Sequence, residues 1–273
     1  DPDEDFGYMM DGYKNGIITD ERLEEALTRI LGTKAALGLH KKAKTEILPE
    51  KEVAMAKIGL EENKAIAKEV SDKAITLVKN KQDILPISPE KHKRVLLVEA
   101  KGFDGGFGKF IEIMGGAKKK PIEIVKELLE AKGFDVEIWE SPIDKIMKLP
   151  KEEMAQALGN VYAGKRPIAE LTSKYDLIIN IANVNASVDQ RLQWPPSKGT
   201  PDIPFYVNEI PTIFISVKCP FHLADVPQVK TYINTYDDNQ QTLEALVEKL
   251  VGNTEFKGIS PVDAFCGFGD TRF

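Results

Sequence analysis

Apolar positions along this chain change their spacing near residue 80. Before it they recur at helical intervals, and after it short unbroken apolar runs alternate with helical patterns. Between Thr19 and Leu31, the residues Leu23, Ala26, Leu27, Ile30 and Leu31 mark one face of an amphipathic helix. Thr19 stands where it can cap that helix, and Asp20 and Glu21 favour its positive end. From Gly32 to Gly59 the periodicity fades among glycines, Pro49 and lysines, which reads as a linker with a boundary near residue 60. A second stripe, Ile66, Val70, Ala74, Leu77 and Val78, predicts a helix from about Glu61 to Val78 that packs on a sheet.

Beyond the turn at Leu85-Pro86 the pattern becomes that of alternating strands and helices. Val95 to Val98 is a predicted buried strand, and Pro121 to Lys132 a helix carrying Ile122, Val125, Leu128 and Leu129. Gly133 ends that helix before a strand from Phe134 to Trp139, completing one β-α-β unit. Further strands are expected at Leu177 to Ile181, Thr212 to Val217 and Thr231 to Thr235, and a helix from Gln240 to Val251 that stops at Gly252. Continuous Val, Ile and Leu runs, rather than alternation, point to strands covered on both faces. The expected class is therefore α/β, with a mostly parallel sheet sandwiched between helix layers.

Composition narrows the possible functions. Among 273 residues, 43 acidic side chains outnumber 37 basic ones, which argues against a polyanion partner such as nucleic acid. The longest basic run, Lys118-Lys119-Lys120, reads as a solvated loop ahead of Pro121. No apolar stretch approaches the roughly 18 residues of a membrane helix, and the acidic start has no signal-peptide core. Two cysteines, Cys219 and Cys266, supply neither a disulfide framework nor a zinc set, so a reducing, cytoplasmic setting is expected and both thiols are expected to be buried, structural groups. The opening Asp1-Pro2-Asp3, without an initiator methionine, reads as a fragment.

Candidate chemistry is sparse. The loop Lys101 to Lys109 is glycine-rich and follows a strand, as phosphate cradles do, but Phe103 and Phe110 stand where a phosphate loop needs Gly and Ser or Thr. The dinucleotide fingerprint fails as well, because Ile111 occupies the place of its third glycine. His40, His92 and His222 are too scattered to form a ligand set. Asp176 and Asp189 are two among many carboxylates, too common for their proximity to signify a catalytic pair. Arg191 draws attention as one of only six arginines, beside Trp194 in a polar loop after a strand; packing on the indole or capping carbonyls is the competing structural reading. No cofactor and no metal are expected.

Several long stretches resemble family 3 glycoside hydrolases, in particular their bacterial β-N-acetylhexosaminidase-like branch. Gly16-Ile-Ile-Thr-Asp-Glu-Arg-Leu-Glu-Glu-Ala-Leu-Thr-Arg-Ile-Leu31 is similar to the last helix of that family's catalytic barrel. Ala74 to Asn80, followed by Ile84-Leu-Pro-Ile87, resembles the passage between its two domains. Ser216 to Pro227, Thr231 to Tyr236 and Phe256 to Asp263 are similar to closing segments of its second, α/β sandwich domain. The resemblance implies a terminal barrel helix at 1–35, a linker at 36–60 and a sandwich domain at 61–273.

It also implies that the nucleophilic Asp, and in this branch a His/Asp acid/base pair, lie on the barrel. A (β/α)8 barrel needs roughly 250 residues, far more than precede Val95. The retaining chemistry would then belong to the complete enzyme, and this chain alone is expected to be inactive. In some other branches of the family the second domain contributes the acid/base carboxylate, so loops at the carboxyl ends of its strands are expected to wall the sugar subsite, with Asp104 and Arg191 as the candidate substrate-binding residues; no motif carries a catalytic role onto either, and a solvated loop residue is the competing reading of each. The implied partners are the barrel and, through a shared cleft, a carbohydrate; homodimerisation is one way of covering Leu23, Leu27, Ile30 and Leu31. The rival readings are a flavodoxin-like ligand-binding module using the 102–108 loop and a purely structural or interaction domain.

Overall fold

A computed structural model describes residues 1–102, 119–141, 145–146, 148–161, 168–184, 191–194 and 200–273. The chain divides into two compact units, Asp1–Asn63 and Lys64–Phe273. The first is helical: α1 (Pro2–Lys14), α2 (Asp20–Ala36) and the short helices α3 (Lys44–Ile47) and α4 (Lys51–Met55). Thr19 caps α2 as expected, its side-chain oxygen accepting from the Arg22 amide. The stretch expected to be a plain linker holds the last turn of α2 together with α3 and α4. This unit has no buried residue in its helices and leaves Phe6, Tyr8, Met9, Ile30, Leu31 and Leu48 exposed.

The second unit begins within α5 (Glu61–Ala74), which ends earlier than its periodicity suggests. Residues from Thr76 onward form a strand instead, β1 (Thr76–Asn80), paired antiparallel with β7 (Thr231–Asn234). The β-branched run Ile75, Thr76 and Val78 favours extended backbone, and ladder bonds to β7 outweigh the helical spacing of Leu77 and Val78. The remaining strands are β2 (Arg94–Gly102), β3 (Asp135–Ile138), β4 (Leu177–Ala182), the two-residue β5 (Leu192–Gln193) and β6 (Thr212–Ser216).

Their order is β1-β7-β6-β4-β2-β3, and every pair from β7 to β3 is parallel. Without β1, this is the doubly wound order of the flavodoxin-like class. All residues of β4 and β6 are buried, as strands covered on both faces must be.

One face of the sheet is covered by α6 (Pro121–Ala131) and α9 (Gln240–Leu250). They bury Ile122, Val125, Leu129, Leu243, Leu246 and Leu250 against Val95, Leu97, Ile179 and Ile213. Gly133 and Gly252 follow these helices with φ of +93° and +80°, left-handed turns that glycine enters without a Cβ penalty. On the other face lie Leu171 of α8 (Ile168–Lys174) and irregular chain bearing Tyr206, Val207, Leu223, Val226 and Val229. A further helix, α7 (Lys151–Val161), precedes α8.

Lys249 is fully buried between elements. Its Nζ donates to Asp72 Oδ1 at 2.7 Å and to the Glu255 carbonyl at 2.6 Å, tying α5 to α9 and to the segment after it.

Candidate functional site

In an open parallel sheet a crevice forms outside the carboxyl ends of two neighbouring strands whose connections leave to opposite faces. Here those strands are β2 and β4. β2 ends at Gly102, where an added β-carbon would fall 2.4 Å from Cγ1 of Val184, just beyond β4; glycine therefore lets the two strand ends close on each other. Asp104 and most of the glycine-rich loop, 103–118, lie outside the described residues, as does Asp189. Of the basic run, Lys119 pairs with Glu127 and Lys120 with Glu99 at 3.4 Å, so both charges are matched within the molecule.

Arg191 is described, and it stands at this crevice. β5 pairs antiparallel with Lys101 and Gly102, which brings the chain after β4 back to the end of β2 with Arg191 immediately before it. Asp225, missed by the sequence reading, holds the arrangement. Its Oδ2 accepts the Leu192 amide at 3.1 Å, and its Oδ1 pairs with Arg191 Nε. The carboxylate is 5% exposed whereas the Arg191 side chain is 63% exposed, so a buried anion anchors a cation that reaches into solvent. A charge-assisted contact with one partner buried is stronger than a surface ion pair. Trp194 packs on the cluster formed by Ala100, Ala182, Val184, Leu192 and Phe214 beneath this edge. The sequence placed Arg191 and Trp194 together, but nothing in its spacing announced an acid 34 positions away.

A second polar group secures the neighbouring loop. Ser216, the last residue of β6, donates its hydroxyl proton to the Cys219 carbonyl, which leaves its oxygen to accept from Nδ1 of His222 at 2.8 Å. Asn234, the last residue of β7, donates to the Pro220 carbonyl at 3.2 Å. His222 is fully buried, and this bond makes it a structural histidine that fixes the loop leading to Asp225. His92 is half-buried; burial pushes its imidazole pKa below the usual value, opposed by Asp176. Asp176 lies at the other end of the sheet, just before β4, where it grips Arg94 through Nη2 at 2.6 Å and Nε at 3.2 Å and accepts the Arg94 amide at 2.8 Å. It is a staple between strand starts.

Cys219 is buried, but Cys266 is partly exposed, which corrects the expectation that both thiols are buried. Among the described residues no group of three His, Cys, Asp or Glu side chains could hold a metal ion, and no helix is long and apolar enough to cross a membrane. The arrangement offers an anchored guanidinium and an indole beside a strand-end crevice, groups suited to hydroxyl recognition and to ring packing.

No profile of a known protein family matches the chain. A β-N-acetylglucosaminidase/β-glucosidase of Cellulomonas fimi is 37% identical over 99% of it. The solved β-glucoside phosphorylase BglX is 37% identical over all of it, with a TM-score of 0.69. This chain spans 44% of the length of each. A glycoside hydrolase family 3 β-N-acetylglucosaminidase from Paenibacillus sp. str. FPU-7, 18% identical over 91% of the chain and 40% of its own, shares the fold at a TM-score of 0.51. Identity of this level runs along nearly the whole chain, which is therefore similar to a region of each of the two longer enzymes, and the likeness to the Paenibacillus structure shows a shared fold.

Proposed function

We propose that this chain is the sandwich half of a family 3 enzyme that cleaves β-glycosides, β-N-acetylglucosaminides foremost, and that it walls the sugar cleft without performing the bond-breaking step. The observation that carries the reading is the 37% identity along the whole chain to an enzyme more than twice its length. In this reading the cleft face is the carboxyl edge of β2 and β4. Arg191, held by Asp225, and Asp104 contact the sugar, residues 1–35 contribute the last helix of a catalytic barrel, and residues 36–60 connect it to the sandwich. The barrel is the partner and the location is cytoplasmic.

The test is release of chromophore from a β-N-acetylglucosaminide by this chain alone, then by this chain mixed with a separately produced barrel. Activity confined to the mixture supports the reading, and activity of the chain alone sinks it. A second reading, phosphorolysis in place of hydrolysis, is favoured by the likeness to a β-glucoside phosphorylase. Formation of a sugar 1-phosphate only when inorganic phosphate is supplied selects it, and an unchanged rate of free sugar release with and without phosphate rejects it.

A further inference from the structure

Both cysteines of the chain lie at one place, the carboxyl edge of the sheet, although 219 and 266 are far apart in sequence. Cys219 follows β6 and is buried; Cys266 belongs to the C-terminal segment and is partly exposed. The Cys266 sulfur stands 3.8 Å from the carbonyl oxygen of Phe221, two residues after Cys219. The amide of that same Phe221 bonds to the Cys219 sulfur, so the two thiols approach opposite ends of one residue's backbone.

The loop that presents Cys266 is tightly specified. Asp263 accepts amides from Phe265 at 3.1 Å and from Gly267 at 2.8 Å through its side chain, and from Cys266 at 3.0 Å through its carbonyl. Cys266 has a φ of +55°, a left-handed conformation that a side chain other than Gly, Asn or Asp seldom adopts and that persists only where surrounding contacts impose it. Thr271 bonds to the Phe265 and Phe268 carbonyls, and Arg272 lies 4.4 Å over the Phe265 ring, holding the turn from behind.

We propose that Cys266 and Cys219 form a redox-sensitive thiol pair, in which an accessible Cys266 reacts with a small disulfide such as oxidised glutathione and the buried Cys219 resolves the adduct. In the first step the Cys266 thiolate attacks one sulfur of the small disulfide, forming a mixed disulfide and expelling one thiolate. In the second, the Cys219 thiolate attacks the Cys266 sulfur, forms the internal disulfide and expels the other thiolate. Two cysteine thiols are oxidised, one disulfide reagent is reduced to two thiols, and the two cysteine protons end on those products.

Burial pushes both thiols to higher pKa, and for Cys266 the Asp263 carboxylate adds to the effect while Arg191 opposes it. The reaction therefore accelerates as pH rises. The internal bond would tether the C-terminal segment to the loop carrying His222 and Asp225, and so to the edge where Arg191 stands. This inference is independent of the proposed glycoside chemistry.

Incubating the chain with oxidised glutathione at mildly alkaline pH, quenching with an alkylating agent and mapping the peptides by mass spectrometry tests it. The expected product is a Cys219–Cys266 linked peptide pair, two hydrogens lighter than the reduced chain, with a transient glutathione adduct on Cys266. The Cys219→Ser chain should instead accumulate that adduct. A persistent adduct on wild-type Cys266 with Cys219 still alkylatable after unfolding would overturn the proposal, as would two unmodified thiols or a bond joining two chains.

Discussion

Replacing either partner of the Lys249–Asp72 pair removes the same ionic contact, but the two replacements should differ sharply in cost. The Lys249 side chain is 0% exposed and the Asp72 side chain 38%. In Asp72→Asn the ammonium stays in the protein interior with the Glu255 carbonyl and the Phe256 ring, 5.9 Å away, as remaining partners. Stranding a buried charge in this way costs about 3–5 kcal/mol. In Lys249→Met the apolar stem is retained and the charge left behind is on the partly solvated carboxylate, so the expected cost is about 1–1.5 kcal/mol, that of the lost hydrogen bonds.

Urea denaturation followed by far-ultraviolet circular dichroism, run on both variants and the wild type, measures the difference. Equal losses, or a larger loss for Lys249→Met, would refute the argument that the buried member of the pair sets the cost. The contact also carries a pH signature. The Lys249 hydrogen bond holds the Asp72 carboxyl below its usual pKa, so its contribution is full above about pH 4, the unfolded value, and disappears as pH falls through the lower folded value.

Three further outcomes follow from other contacts. Asp176→Ala should cost about 1–2 kcal/mol, because it frees the Arg94 amide and guanidinium at the start of β2, and it should flatten acid sensitivity below about pH 4, where the Arg94 bonds keep the Asp176 carboxyl ionised in the folded state; a urea series at several pH values checks both. Asp225→Ala should release β5 without unfolding the sheet, read as at least tenfold faster hydrogen exchange at the Leu192 amide while the amides of β4 and β6 stay protected; equal exchange in the two proteins would show that Asp225 does not hold this segment. Gly102→Ala forces the Val184 side chain away from the end of β2 and should cost about 1–3 kcal/mol by the same denaturation assay, with no loss indicating that the two strand ends are not in contact.

Local physics was sufficient for much of the fold. The cap at Thr19, the stop at Gly133 and the unbroken apolar runs of β4 and β6 are each written in neighbouring residues, because caps, left-handed turns and two-sided burial act over a few positions. Those runs were enough for a mostly parallel α/β sheet. Residues 76–80 could not be read that way. Their spacing fits a helix, and they become a strand only because β7, more than 150 positions later, offers an antiparallel ladder. Pairing energy between distant segments is invisible to a local pattern.

The candidate site divides along the same line. Arg191 and Trp194 were noticeable from their scarcity and from the loop they occupy, whereas Asp225, Ser216 and His222 acquire their roles from the strand ends that bring them together. The convergence of Cys219 and Cys266 on Phe221 is likewise a product of the tertiary fold. Residue type and short-range spacing thus determined most of the elements and the sheet's class; strand β1, the strand order, the anchoring acid and the meeting of the two thiols were decided by long-range packing, where contacts join residues that sequence leaves far apart.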